Sequence, residues 1–287
     1  MKKLTSLLLA GVLAAGVLSG CGNAEGNSSS DSLSSQEPGS STEALSGKVS
    51  MSGSTSMEEI AKALAEGFNA KYPDVAIDVQ LGGSSTGVKN AQEGVSDIGN
   101  VSRALKDTET GLDSETIALD GIAVIVNTAN PIEDLSTEQI LKIYTGEIQN
   151  WKDLGGDDAE IQVIGREAGS GTRDGFESVV GIQDNAKHDQ ELTSTGAVQT
   201  AVASTPGAIG YVSLANVDDT VKALKVGGVS PAIETVQDGS YTLQRPFVMV
   251  TKTGTELRPE VKAFLEFALG DEGQSIASQI GLIPLSK

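Results

Sequence analysis

Three short stretches of this 287-residue chain combine glycine with hydroxyl side chains: Gly53-Ser54-Thr55-Ser56, Gly82-Gly83-Ser84-Ser85-Thr86-Gly87 and Gly169-Ser170-Gly171-Thr172. Glycine lets a backbone approach a ligand closely, and the first N–H groups of a helix have no partner within the helix. A helix start also carries roughly +0.5 of a charge. With Ser and Thr hydroxyls added, such a turn is an uncharged cradle for an oxyanion. Ser, Thr and Gly are also the preferred cap and turn residues, which accounts for any single copy. Three copies this dense in hydroxyls favour an anion site.

Two arginines join these turns. Ser102 and Arg103 follow the short run Asp97-Ile98-Gly99-Asn100-Val101, and Arg166 ends the run Ile161 to Gly165, just before the third turn. A guanidinium offers a planar fork of donors that matches an oxyanion. In so acidic a chain Arg103 is equally suited to a surface ion pair, whereas Arg166 has four more candidate donors beside it.

Each turn needs a strand behind it and a helix ahead. Val75, Ile77, Val79 and Leu81 alternate with polar residues, and Gly121 to Val126 is a continuous apolar run, as are Ile161 to Ile164, Ile209 to Val212, Val221 to Val226 and Phe247 to Thr251. Between them lie helix starts. Thr55 and Ser56, three residues before Glu58 and Glu59, form two overlapping capping boxes ahead of the stripe Met57, Ile60, Ala61, Leu64 and Phe68. Ser136 opens a second helix, and Pro259 suits the first turn of a C-terminal one. Strands alternating with helices predict an α/β fold with mainly parallel sheets, in which ligands sit at the carboxyl ends of strands.

Composition narrows the function. With 39 acidic and 20 basic residues the net charge is -19, the opposite of a nucleic-acid footprint. One His and one Cys exclude a disulfide framework and leave almost nothing for a zinc or thiolate cluster; a carboxylate-only metal site stays open, but no metal or cofactor is expected. Aromatic residues make up 3%, too few for a sugar site walled by rings. An enzyme reading would make Ser170 a nucleophile, but the only His, His188, lies in a polar stretch that reads as exposed. Gly169-Ser170-Gly171 lacks the spacing of Gly-x-Ser-x-Gly, and no phosphate loop of the Gly-x4-Gly-Lys-Ser/Thr type occurs, so no enzymatic activity is expected.

The N-terminus reads as an address. Lys2-Lys3, the apolar run Leu4 to Leu18 and Leu18-Ser19-Gly20-Cys21 make a secretory signal over 1–20 that resembles a bacterial lipobox, with Cys21 as the lipidated residue. Residues 22–46 are Ser, Gly, Asn and Glu with almost no apolar content, a flexible tether. No second apolar run of 18 or more follows. The expected location is the outer face of the cytoplasmic membrane, reached through the lipid anchor.

The succession of motifs Gly53-Ser54-Thr55-Ser56, Gly83-Ser84-Ser85-Thr86-Gly87-Val88-Lys89, Asp97-Ile98-Gly99, Asn150-Trp151-Lys152-Asp153-Leu154 and Arg166-x3-Ser170-Gly171-Thr172 resembles the phosphate-binding subunit of bacterial phosphate ABC importers, from about Gly47 to Lys287. The resemblance implies a two-lobed periplasmic-binding-protein-like fold of type II, with two hinge-crossing strands. Lobe one would take 47–122 plus 246–287, and lobe two 123–245. It implies phosphate binding by Ser54, Thr55, Ser56, Ser84, Ser85, Ser102, Arg103, Arg166, Ser170, Gly171 and Thr172, with no catalytic residue. In the better-known pattern an aspartate at the Ser102 position accepts the proton of hydrogen phosphate; here the Ser102 hydroxyl can accept as well as donate, which keeps phosphate binding but weakens the rejection of sulfate, and Asp97 or Glu167 are further candidate acceptors. The partners implied are inorganic phosphate and the permease subunits of an importer, for a monomeric protein that binds no nucleic acid. Sulfate, molybdate or tungstate, or a non-transport surface lipoprotein, are the alternatives.

Overall fold

The computed structural model describes residues 45–183 and 185–285; the signal segment, Cys21 and nearly all of the tether lie outside the described residues. In chain order the first elements are β1 (Gly47–Ser54), α1 (Glu58–Lys71), β2 (Val75–Gly82), α2 (Ser84–Glu93), β3 (Ile98–Val101) and the long β4 (Leu112–Asn127). The middle of the chain forms β5 (Asp134–Leu135), α3 (Thr137–Tyr144), β6 (Gln162–Arg166), α4 (Gly171–Val180), β7 (Gln190–Leu192), α5 (Thr195–Ser204) and β8 (Ala208–Ser213). The last third supplies β9 (Val221–Ala223), β10 (Lys225–Val226), α6 (Ile233–Gln237), β11 (Gln244–Lys252), α7 (Pro259–Leu269) and α8 (Asp271–Gln279).

Among the described residues the main sheet runs β2-β1-β3-β11-β4-β8-β6-β7, with β9 also beside β4. It is mixed, which corrects the expectation of mainly parallel pairing. β1 is parallel to β2 and β3, and β6 to β7 and β8, but β11 is antiparallel to β3 and β4, and β4 to β8 and β9. Parallel neighbours need a crossover connection, whereas a strand returning directly alongside another runs antiparallel to it.

Two apolar clusters lie on either side of this sheet's middle. One gathers Val49, Met51, Ile60, Leu64, Phe68 and Phe264; the other gathers Val126, Tyr144, Trp151, Phe176, Ile209 and Tyr211. β4 contributes Ile117 and Ala118 to the first and Ile122 and Val124 to the second, while Leu243 and Phe247, bracketing the start of β11, divide in the same way. These two strands therefore cross from one half to the other. Burying each such side chain contributes roughly 1.5–3 kcal/mol. The scarce aromatics serve these cores: Phe176 stacks on Tyr211 at 4.2 Å, and Phe68 packs edge-on against Phe264 and Phe267. Asn150-Trp151-Lys152-Asp153-Leu154 is also structural, since Asn150 caps a short turn and buried Trp151 donates through Nε1 to the Gly207 carbonyl at 2.9 Å. No described helix is long and apolar enough to cross a membrane.

Helix starts follow the sequence in part. Ser136 and Gln139 form the capping box of α3, and Pro259 sits in the first turn of α7. The overlapping boxes expected at Thr55 and Ser56 do not form. A 3-10 turn over Thr55–Met57 precedes α1, and the cap positions of both elements lack a side-chain cap bond. The Thr55 hydroxyl is thus left for a distant partner, Thr195, while that of Ser56 pairs with Ser54.

Candidate functional site

The three glycine-hydroxyl turns all lie between a strand and a helix: β1 leads to α1, β2 to α2 and β6 to α4. The first two belong to one half and the third to the other. They meet across the cleft between the halves. Ser85 N–H donates to the Gly169 carbonyl at 3.1 Å, and a Cβ placed on Gly171 would stand 2.2 Å from Ser84 Oγ and 2.6 Å from Ser102 Oγ. Only glycine at 171 lets the start of α4 come this close to those two hydroxyls.

On the first wall the hydroxyls form a chain. Ser54 Oγ donates to Ser102 Oγ at 2.8 Å and lies 3.0 Å from Ser56 Oγ. Ser84 Oγ is 3.2 Å from Ser102 Oγ and accepts from Ser102 N–H at 3.0 Å. Ser54, Ser56, Ser84 and Ser102 are all buried, and Ser85 is half-buried. Thr55 reaches over to the opposite half, where Thr195 N–H donates to its Oγ1 at 3.1 Å and the two hydroxyls are 3.2 Å apart.

On the second wall Arg166 is 1% exposed. Its Nη1 donates to Thr195 Oγ1 at 3.3 Å, Nε to the Leu192 carbonyl at 3.1 Å, and Nη2 to Glu167 at 3.0 Å. Its own N–H donates to Tyr211 Oη at 3.2 Å, so backbone and side chain are both fixed. Ser170 serves as the cap of α4, accepting from Arg173 N–H at 3.3 Å; here the capping preference of serine is realised. Thr172 Oγ1 is buried with no hydrogen-bond partner, a costly state for a hydroxyl unless a ligand satisfies it.

The structure brings most of the sequence-derived set together and directs Arg103 elsewhere. Arg103 donates to Asp174 at 2.7 Å and to both oxygens of Glu109 at 2.7 Å, reaching Ser85 Oγ only at 3.5 Å. It clamps the loop after β3 to α4. Burial works against the charges of Glu109 and Arg103, but their pairing outweighs it, lowering the Glu109 pKa and raising that of Arg103. Asp97 is also removed from the cleft: it accepts from the backbone and hydroxyl of Ser50 and from Arg258. Glu167 is committed to Arg166. His188 corrects the expectation of an exposed residue, because its side chain is 1% exposed, packed against Tyr144 and Tyr211, with Nδ1 3.3 Å from Glu191. Its imidazole has a neighbour in Glu191 and not in Ser170, so the nucleophile arrangement is not built.

Four cleft residues escaped sequence reasoning: Thr195, Asp120, Arg245 and Ser213. Thr195 opens α5 in Ser194-Thr195-Gly196, a shorter version of the same turn, and that pattern was legible. Asp120 stands alone in the apolar run Ile117 to Val126. It is fully buried, accepting from Arg245 at 2.9 and 3.0 Å and from Ser213 Oγ at 2.8 Å. Burial pushes the Asp120 carboxyl up and the Arg245 guanidinium down, each opposed by the other's charge.

A fold crossed by two strands, with donor-rich turns facing one another across the cleft, is that of a two-lobed solute-binding protein. The family model of the PBP superfamily domain matches residues 38–272. The phosphate-binding protein PstS of Bacillus subtilis is 35% identical over 243 residues, covering 80% of this chain and 78% of that protein. Among solved structures, a phosphate ABC transporter substrate-binding protein with bound phosphate from Clostridium perfringens is 46% identical with a TM-score of 0.79, over 83% of this chain and 100% of that one. An ABC-type phosphate transport receptor from Vibrio cholerae is 34% identical with a TM-score of 0.69, at the same coverage. The chain belongs to the PBP superfamily and, within it, to the family of PstS phosphate-binding proteins. This is a family of non-catalytic solute-binding proteins.

Proposed function

We propose that this protein captures inorganic phosphate between its two lobes and delivers it to the permease of an ABC importer. The observation that carries this reading is the buried donor cluster contributed from both sides: Ser84 and Ser102 facing Gly171, linked to Ser54 and Ser56, with Arg166 and Thr195 beside Thr55. Thr172 Oγ1 and the first N–H groups of α4 complete the oxyanion's shell, and Ser85 flanks it. Arg103 acts as the clamp that holds the walls together.

Micromolar capture needs about 8 kcal/mol net. Hydrogen bonds to a charged group contribute roughly 1.5–3 kcal/mol each, so donors from both walls must act together. Isothermal titration with phosphate and sulfate tests this. Phosphate should bind tightly, and Arg166→Ala should weaken it at least about a hundredfold, since it removes a charge-assisted contact and leaves Glu167 unpaired. Equal affinity in the two proteins would remove Arg166 from the site. Sulfate is the second reading, favoured by Ser102: its hydroxyl already accepts from Ser54 and Arg245, and no carboxylate takes its place.

The lobes of this reading are 47–122 plus 246–287 and 123–245, supported by the separate apolar clusters. The protein works outside the cytoplasm at the membrane, as a monomer held by lipidated Cys21 through the tether 22–46.

A further inference from the structure

Asp120 and Arg245 are register partners on β4 and β11, beside the point where these strands pass from one lobe to the other. Both are buried, Asp120 completely. The Arg245 guanidinium spends Nε and Nη2 on Asp120 and keeps Nη1, which donates to Ser102 Oγ at 3.3 Å. Ser102 is thereby tied to the hinge as well as to its own wall. A serine hydroxyl has two acceptor sites and one proton. Ser54 Oγ fills one acceptor site at 2.8 Å and Arg245 the other, so Ser102 Oγ can only donate; Ser84 Oγ, 3.2 Å away, is the acceptor within reach here, a long contact that a nearer anionic oxygen would displace. Gly171, at the mouth of α4, is the backbone that this hydroxyl and Ser84 Oγ face.

We infer that Arg245 is a positioning residue of the anion site: anchored by Asp120 at the strand crossing, it occupies a lone pair of Ser102 Oγ and commits that hydroxyl's proton to the bound oxyanion. The inference rests on the phosphate reading above. It adds an element outside the glycine-hydroxyl turns. The orientation of a first-wall donor is set by the strands on which the lobes pivot, so the hydroxyl is preset before the anion arrives. A free hydroxyl rotor would have to be ordered on binding, and a preset one is not.

The test is a double-mutant cycle on phosphate affinity. Arg245→Met combined with Asp120→Asn removes the cation without stranding a buried carboxylate. It should weaken phosphate about tenfold, the scale of one well-placed hydrogen bond, when Ser102 is present, and less than about twofold when Ser102→Ala is added. Equal losses in the two backgrounds, or no loss in the first, overturn the inference. Should the neutral pair fail to fold, Arg245→Lys takes its place: an ammonium can neutralise Asp120 but cannot hold it with a fork and reach Ser102 as well. Its loss of affinity must also vanish with Ser102→Ala, and persistence of that loss refutes the role. A wild-type protein that binds no phosphate would instead refute the proposed function itself, and this inference with it.

Discussion

Gly83 and Gly169 meet backbone to backbone across the cleft: a Cβ on Gly83 would stand 2.6 Å from the Gly169 carbonyl oxygen, the oxygen that accepts the Ser85 N–H at 3.1 Å. Gly83 has φ -84 and ψ 165, a conformation open to any residue. Its glycine is therefore required by the approach of the two lobes and not by backbone strain.

Gly83→Ala should consequently act on closure alone. The ligand-free protein should unfold at the same temperature or slightly higher, because alanine restricts the unfolded chain by about 0.4–1 kcal/mol. Phosphate affinity should fall at least about tenfold as the methyl meets the carbonyl, a cost of one to a few kcal/mol. Calorimetric titration alongside a thermal melt checks both, and a parallel loss of stability would show that the glycine serves the fold.

The Arg103 clamp predicts a separable phenotype. Arg103→Ala strands Glu109 and frees Asp174 from one of its two cations, Lys106 remaining at 2.9 Å. Stability should drop by about 2–4 kcal/mol, as for a buried pair broken on one side. Phosphate affinity should fall by less than for Arg166→Ala. Denaturant melts and titrations on the same two variants rank the effects.

His188 gives the stability a pH dependence. Burial lowers its pKa below the ordinary 6.5, more than Glu191 raises it. A depressed folded value means the neutral ring is the one that fits, so its contribution is complete above 6.5 and is lost as pH falls through the folded pKa. His188→Gln should flatten the stability curve in that window. Glu109 acts lower, where loss begins only below 4.5. Urea melts from pH 8 down to about pH 2.5 measure both.

Charge pairing at the cleft also predicts how binding responds to salt. Arg166 faces Glu167 at 3.0 Å, Arg245 faces Asp120 at 2.9 Å and Arg103 faces two carboxylates. Recognition then rests on short-range dipoles in a buried cleft, which salt screens little. Phosphate affinity should change by less than about threefold when ionic strength rises from roughly 0.05 to 0.5 M, as the Debye length shrinks well below 10 Å. A decade of weakening would show that unpaired surface charge steers the equilibrium.

The sequence by itself determined the donor turns, because their chemistry is local: glycine, hydroxyl and helix start are adjacent in the chain, and all three turns lie between strand and helix as their residues imply. The scarcity of aromatic rings was legible as well, and the two-lobed fold was implied by the family resemblance that the order of the motifs carries. What only the tertiary structure decided are relations between residues far apart. The Arg103 guanidinium turns to Asp174, 71 positions away, and to Glu109, which take its fork of donors. The capping boxes of Thr55 and Ser56 are replaced by a 3-10 turn, in which the Thr55 hydroxyl meets Thr195, 140 residues away, and the Ser56 hydroxyl meets Ser54. His188 went inside because Gly165 leaves room for its ring. Asp120 and Arg245 are 125 residues apart, and only the antiparallel register of two crossing strands sets them side by side behind Ser102. Local chemistry can be read along a chain; which buried charge finds which partner depends on strand register and on closure of the cleft, and neither is a property of any single segment.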